Sequence, residues 1–155
     1  MMKIAFSTNA YLKFSFAETT RRLAGIGYKG VEIMADVPHA WPAYLLPEQK
    51  QAIRDAMTAN GLAFSNVNAF MMHAVDDKRQ KYWHPSWIEP DPHYRRVRIE
   101  HTKRALSLAA ELGAPCVTTE PGGWPPVVSV PVPAAGGVGV SSMARQDQPT
   151  DGRFR

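Results

Sequence analysis

Glu32, Asn68, His73 and Glu120 are the residues whose types and placing could do chemistry in this chain. Each lies within or follows a short run with strand composition, at 30–34, 62–70 or 115–119. Two carboxylates and an imidazole have the composition of a divalent-metal site, with oxygen donors suited to hard ions. Glu32 stands between Val31 and Ile33, so in a strand it faces away from both. An inward carboxylate is costly unless paired or bound. The alternatives are a buried salt bridge to a lysine or arginine, and contact with substrate or metal. His73 reads as a ligand or as an exposed loop histidine. Glu120 precedes Pro121-Gly122 and reads as a ligand to a hard ion or as the cap of a turn.

The elements that must position these residues repeat one unit: helix, glycine stop, strand. Ser15 and Glu18 have capping-box spacing ahead of a helix over 15–27, closed by Gly27. A second helix spans 47–61, with Leu46, Ile53 and Met57 among its apolar positions and Gly61 at its end. Asp91-Pro92 opens the third, an N-cap followed by proline in the first turn. Tyr94, Val97, His101, Ala105, Leu108 and Leu112 form its apolar stripe, and Gly113 ends it. With an opening strand over 3–8, the order is βαβαβαβ, an α/β pattern that predicts a parallel sheet with crossover helices.

The totals set limits. A chain of 155 residues suffices for one domain with a core. No apolar run approaches the roughly 20 residues of a membrane helix, and no signal-peptide pattern opens the chain, so a cytoplasmic protein is expected. The single cysteine, Cys116, reads as a small core residue of the fourth strand. The net charge of +4 is concentrated on the third helix. There Arg95, Arg96 and Lys103 fall opposite the apolar stripe and face water, which reads against a nucleic-acid partner. His101 lies within the stripe and reads as a satisfied core histidine. After residue 123 the helix–glycine–strand rhythm stops and proline and glycine take over. Residues 124–155 are expected to be an irregular tail, with truncation or a shifted reading frame as its origin.

Residues 2–8, the Gly27-Tyr28-Lys29-Gly30-Val31-Glu32-Ile33 segment, 66–73 and 118–123 together resemble the xylose isomerase-like TIM-barrel superfamily. That group includes sugar and sugar-phosphate isomerases and epimerases and the apurinic endonucleases. The resemblance covers residues 2–123 and implies the N-terminal half of a (β/α)₈ barrel, with the active site at the carboxyl ends of its strands. Glu32, His73 and Glu120 would then meet on one rim. A half-barrel also leaves open strand edges, through which copies could pair.

Several roles follow from the resemblance. Glu32 matches a substrate-binding acid, and Asn68 and His73 at the same rim are expected to contact the substrate too. His73 looks like the metal-binding histidine of the endonuclease branch, with Glu120 as an oxygen ligand beside it. Glu120 stands where that branch has histidine, a departure that disfavours DNA repair. The implied cofactor is a divalent ion, manganese or magnesium first and zinc as the alternative. The implied partner is a small sugar or sugar phosphate. The loop over 71–90, with Tyr82, Trp83, His84, Trp87 and Ile88, is expected to wall the sugar ring, Trp83 as a substrate contact. The loop over 35–45, with His39, Trp41 and Tyr44, would extend that wall. The chemistry implied is metal-assisted proton transfer next to a carbonyl. The main ligands and bases of such isomerases come from the second half of the barrel. No catalytic residue is therefore assigned, and weak or absent activity is expected. The alternative readings are a non-catalytic half-barrel binding a ligand or partner, and a DNA-repair endonuclease relative.

Overall fold

The structure, a computed structural model, describes residues 2–75 and 84–121. Tyr82, Trp83 and the expected tail over 124–155 lie outside the described residues. The elements run β1 (Ala5–Ser7), a 3-10 turn (Thr8–Tyr11), α1 (Phe16–Ile26), β2 (Gly30–Met34), α2 (Pro47–Ala59), β3 (Ala63–Asn68), α3 (Pro92–Leu112) and β4 (Val117–Thr118). The strands form one sheet in the order β1-β2-β3-β4, and each neighbouring pair is parallel. This is the βαβαβαβ arrangement of half a TIM barrel. Among the described residues β1 and β4 are its two edges.

Local chemistry sets the element ends. Ser15 Oγ accepts the Glu18 N–H and caps α1. Only half of the expected capping box forms, because Arg21 and Arg22 capture the Glu18 carboxylate at 2.7–2.8 Å. Those two guanidinium groups hold the Glu18 pKa down at about 2. Asp91 Oδ1 accepts the N–H groups of His93 and Tyr94 at the start of α3. The helices are followed by Gly27, Gly61 and Gly113, all at positive φ, a conformation glycine adopts without strain.

Burial separates the two faces of the sheet. Val31, Ile33 and Val67 are fully buried and pack with Leu23, Ile53, Met57, Ala105, Leu108 and Leu112 of the helices. By alternation, Gly30, Glu32, Asn66, Asn68 and Thr118 point the other way, into the barrel interior. A bulge between Val31 and Glu32 sets Glu32 opposite Asn66. The strands are shorter than the sequence runs. Thr8 leaves β1 for the 3-10 turn, where its hydroxyl accepts the Met34 N–H at 3.0 Å.

Three expectations about individual positions fail. Val97 is 44 % exposed, and its neighbour Arg98 is fully buried in its place. Leu46 is exposed too, since it caps α2 rather than joining its buried face. Cys116 is exposed just before β4, its Sγ 3.6 Å from the Ser65 carbonyl oxygen, because alternation puts Val117 and not Cys116 on the helix-facing side. No helix among the described residues is long and apolar enough to cross a membrane.

Gly30 shows how tightly the interior face of the sheet is packed. A Cβ there would sit 3.0 Å from Ala5 Cβ and 3.3 Å from the Ala63 carbonyl oxygen. Crowding of that kind costs about 1–3 kcal/mol, while removing a strand glycine returns about 0.5–1 kcal/mol. Gly30→Ala should therefore lower the unfolding free energy by about 1–2 kcal/mol, read from the urea midpoint. A midpoint equal to or above that of the parent chain would contradict this packing.

Candidate functional site

The interior face carries one connected polar network at the carboxyl ends of β2, β3 and β4. Asn66 Nδ2 donates to Glu32 Oε2 at 2.7 Å and to Thr118 Oγ1 at 2.8 Å. Asn68 Nδ2 lies 3.4 Å from both Glu32 Oε1 and Glu120 Oε1, so the two carboxylate oxygens are at most twice that distance apart. The amides are oriented from their other ends. Asn68 Oδ1 accepts the Phe70 N–H and Asn66 Oδ1 accepts the Ser65 hydroxyl, which turns both nitrogens toward the carboxylates. Glu120 Oε2 is buried with no hydrogen-bond partner among the described residues.

Of the residues expected at the rim, Glu32, Asn68 and Glu120 thus share one network. His73 stands apart from it. Its side chain is exposed, its main-chain N–H is held by Asp36, and no hydrogen bond joins its ring to Glu120 among the described residues. Among the described residues no group of three or more His, Cys, Asp and Glu side chains could hold a metal ion. The salt bridge considered for Glu32 does not form among the described residues either, where the Asn66 and Asn68 amides bond it instead.

Three residues that the sequence reading passed over build the surroundings. Asp36, 1 % exposed, follows β2 and accepts four backbone N–H groups at 2.7–2.9 Å: Val37, Met72, His73 and Ala74. It pins the loop after β3 to the tip of β2. Arg98 reaches from α3 to the carbonyl oxygens of Pro85 at 2.8 Å and Ala69 at 3.1 Å. Burial pushes its pKa down while the charge of Glu120 pushes it up, which places the guanidinium within electrostatic reach of the orphaned carboxylate. Asn66 could have been found, since it lies two residues from Asn68 and must share its face.

The loops part company. Trp87 donates its N–H to the Pro121 carbonyl at 3.3 Å and its indole N–H to Thr119 Oγ1 at 3.4 Å, so residues 84–90 cover the tip of β4. His84 and Glu89 pair within that loop, and Ile88 faces outward. The 35–45 loop does not extend this wall. His39 bonds the Phe14 carbonyl, Tyr44 is 82 % exposed, and Trp41 stacks on His101.

The family model described as xylose isomerase-like TIM barrel matches residues 20–138. The chain belongs to this family. The match runs past residue 123, into the stretch read from sequence as tail. No curated protein matches the chain.

In this member of the family, His101 is the core histidine that the stripe predicts, but it is not fully satisfied. Its ring stacks on Trp41 with centroids 4.7 Å apart, and Nε2 has no hydrogen-bond partner among the described residues. Burial, and then the charge of Arg98, pull its pKa down to about 4, against the pull of Asp36 and the carbonyls of Ala69 and Phe70. The unfolded chain takes up this proton near pH 6.5 and the folded chain only near 4, so folding loses stability as pH falls between those values and the loss levels off below them. A gap of that size is worth about 3 kcal/mol. Burial pushes His39 in the same direction, so some acid sensitivity remains without His101. His101→Phe should therefore remove about 3 kcal/mol of the fall in unfolding free energy between about pH 7 and 4. An unchanged slope would place His101 in a less buried setting.

Proposed function

We propose that the chain is a sugar or sugar-phosphate isomerase- or epimerase-like protein, in which this rim holds the substrate and contributes to a divalent-metal site. The observation that carries the reading is the Glu32–Asn68–Glu120 network, with a Glu120 oxygen unpartnered among the described residues, set at the active-site end of a xylose isomerase-like barrel. A buried carboxylate oxygen without a donor is costly, and a sugar hydroxyl or a hard cation would satisfy it. Manganese or magnesium suits an oxygen-rich rim better than zinc does.

Glu120 would hold the ion, with His73 as the nitrogen ligand implied by family resemblance. The partial set fits a supporting role, because Glu120 has an open oxygen while His73 does not join it in the network. When bound, such an ion polarises the carbonyl oxygen of an open-chain sugar. Glu32, already fixed by two amides, accepts hydroxyl hydrogens of the substrate and orients the chain of carbons. Asn68, whose nitrogen lies between the two carboxylates, can turn that donor to a substrate oxygen. In isomerases of this kind the main ligands and bases come from the second half of the barrel, so this rim has a supporting part and weak or absent activity by itself.

Titration calorimetry of the full chain with manganese tests the rim. We expect a dissociation constant of about 1 mM or tighter, weakened about tenfold or more in Glu120→Gln. Absence of heat in the parent chain, or equal affinity in the variant, would remove the metal from the proposal.

A homo-oligomer formed through the strand edges belongs to the same reading, since β1 and β4 each have one neighbour in the sheet among the described residues. Phe6 on β1 is 39 % exposed, an aromatic surface that a further layer would cover. Sedimentation velocity should show a dimer or larger species, whereas a compact monomer at about 100 µM would count against edge pairing.

A further inference from the structure

A cavity apart from the rim is lined by the 35–45 loop. It lies between the first turns of α1 and α2 and has a volume of about 490 Å³, within the range of small-molecule sites. Phe14, Phe16, Trp41, Tyr44, Leu45 and Ile53 give it a largely apolar and aromatic wall. None of its lining residues is Asp, Glu, Lys or Arg, and none belongs to the Glu32–Glu120 network.

One polar group defines how a ligand would sit there. His39 lines the cavity and is 8 % exposed. Its Nε2 lies 2.9 Å from the Phe14 carbonyl oxygen, which can only accept, so Nε2 carries the hydrogen. The other ring nitrogen, Nδ1, is then a bare acceptor, with no hydrogen-bond partner among the described residues. Burial also favours the neutral ring. Gln49, at the cavity edge, spends its side-chain oxygen on the Leu46 N–H, leaving its amide hydrogens for a ligand.

We propose that this cavity binds an uncharged, planar aromatic molecule whose N–H or O–H donor meets His39 Nδ1. The absence of charge on the lining argues against an ionic ligand, because an unpaired ion there would go uncompensated. The aromatic wall favours a flat ring over a flexible chain. The donor requirement follows from the tautomer, since a ring nitrogen that carries no hydrogen can only accept one. The site is independent of the sugar reading, sharing none of its residues.

Indole and N-methylindole are a matched pair of probes, alike in shape and differing in the donor. By saturation-transfer NMR and calorimetry on the full chain, indole should bind with a dissociation constant of about 1 mM or tighter. N-methylindole should bind about three- to tenfold more weakly, the worth of one hydrogen bond. Indole-3-carboxylate should bind more weakly than indole. His39→Phe should abolish the preference for indole over its methyl derivative. Ala52→Trp, which fills the cavity from an exposed position, should abolish binding of both, while Glu120→Gln leaves both unchanged. Equal affinity for the two probes would overturn the role of His39, and no binding of either, or binding that survives Ala52→Trp, would overturn the site.

Discussion

The rim depends on one buried carboxylate. Asp36 has almost no contact with solvent, and its two oxygens take four backbone N–H groups, three of them from the loop that follows β3. Hydrogen bonds to a charged acceptor are each worth about 1.5–3 kcal/mol, and leaving buried donors unpaired costs a similar amount. The loop therefore cannot leave the tip of β2 without exposing or abandoning several polar groups at once. Asn68 ends β3 just before that loop, and the Phe70 N–H orients its amide. The position of the two carboxylates relative to each other thus rests on a contact in which neither takes part.

Arg98 completes the frame from the opposite side. It takes the Ala69 carbonyl after β3 and the Pro85 carbonyl in the loop over β4, so α3 holds both approaches to Glu120. His101, one turn along the helix, lies in the fields of both buried charges. Asp36 favours its protonation and Arg98 opposes it, yet burial outweighs either, and the ring stays neutral against Trp41. The frame is rigid because its charges are spent on backbone groups.

The outline of this architecture was legible in the sequence, and the frame was not. Gly27, Gly61 and Gly113 mark helix ends because positive φ is a local demand on a single residue. The alternation Val31-Glu32-Ile33 places Glu32 inside because strand geometry has a period of two. Asp36 gave no such signal: three of its four partners are backbone N–H groups 36–38 residues away in the chain, and every sequence offers those. The stripe on α3 misled at Val97 because apolar periodicity assigns a guanidinium to the outside by default. Arg98 can be buried because two carbonyl oxygens receive it. Cys116 was assigned to the core by residue type, when strand parity put Val117 there instead.

Apolar packing and polar chemistry occupy opposite faces of the same strands. Val31, Ile33 and Val67 anchor the helices, while Glu32, Asn66 and Asn68, interleaved with them, build the rim. The partners chosen for the carboxylates then matter. A lysine or arginine bonded directly to Glu32 would have neutralised it and closed the rim to a cation. Asparagine amides orient the carboxylate but leave its charge in place. The same logic applies to Glu120, which Arg98 influences through space while one of its oxygens has no donor among the described residues. A histidine at this position would have offered a nitrogen donor and no negative charge. A glutamate offers oxygen and charge together, which suits the hard ion proposed for this rim.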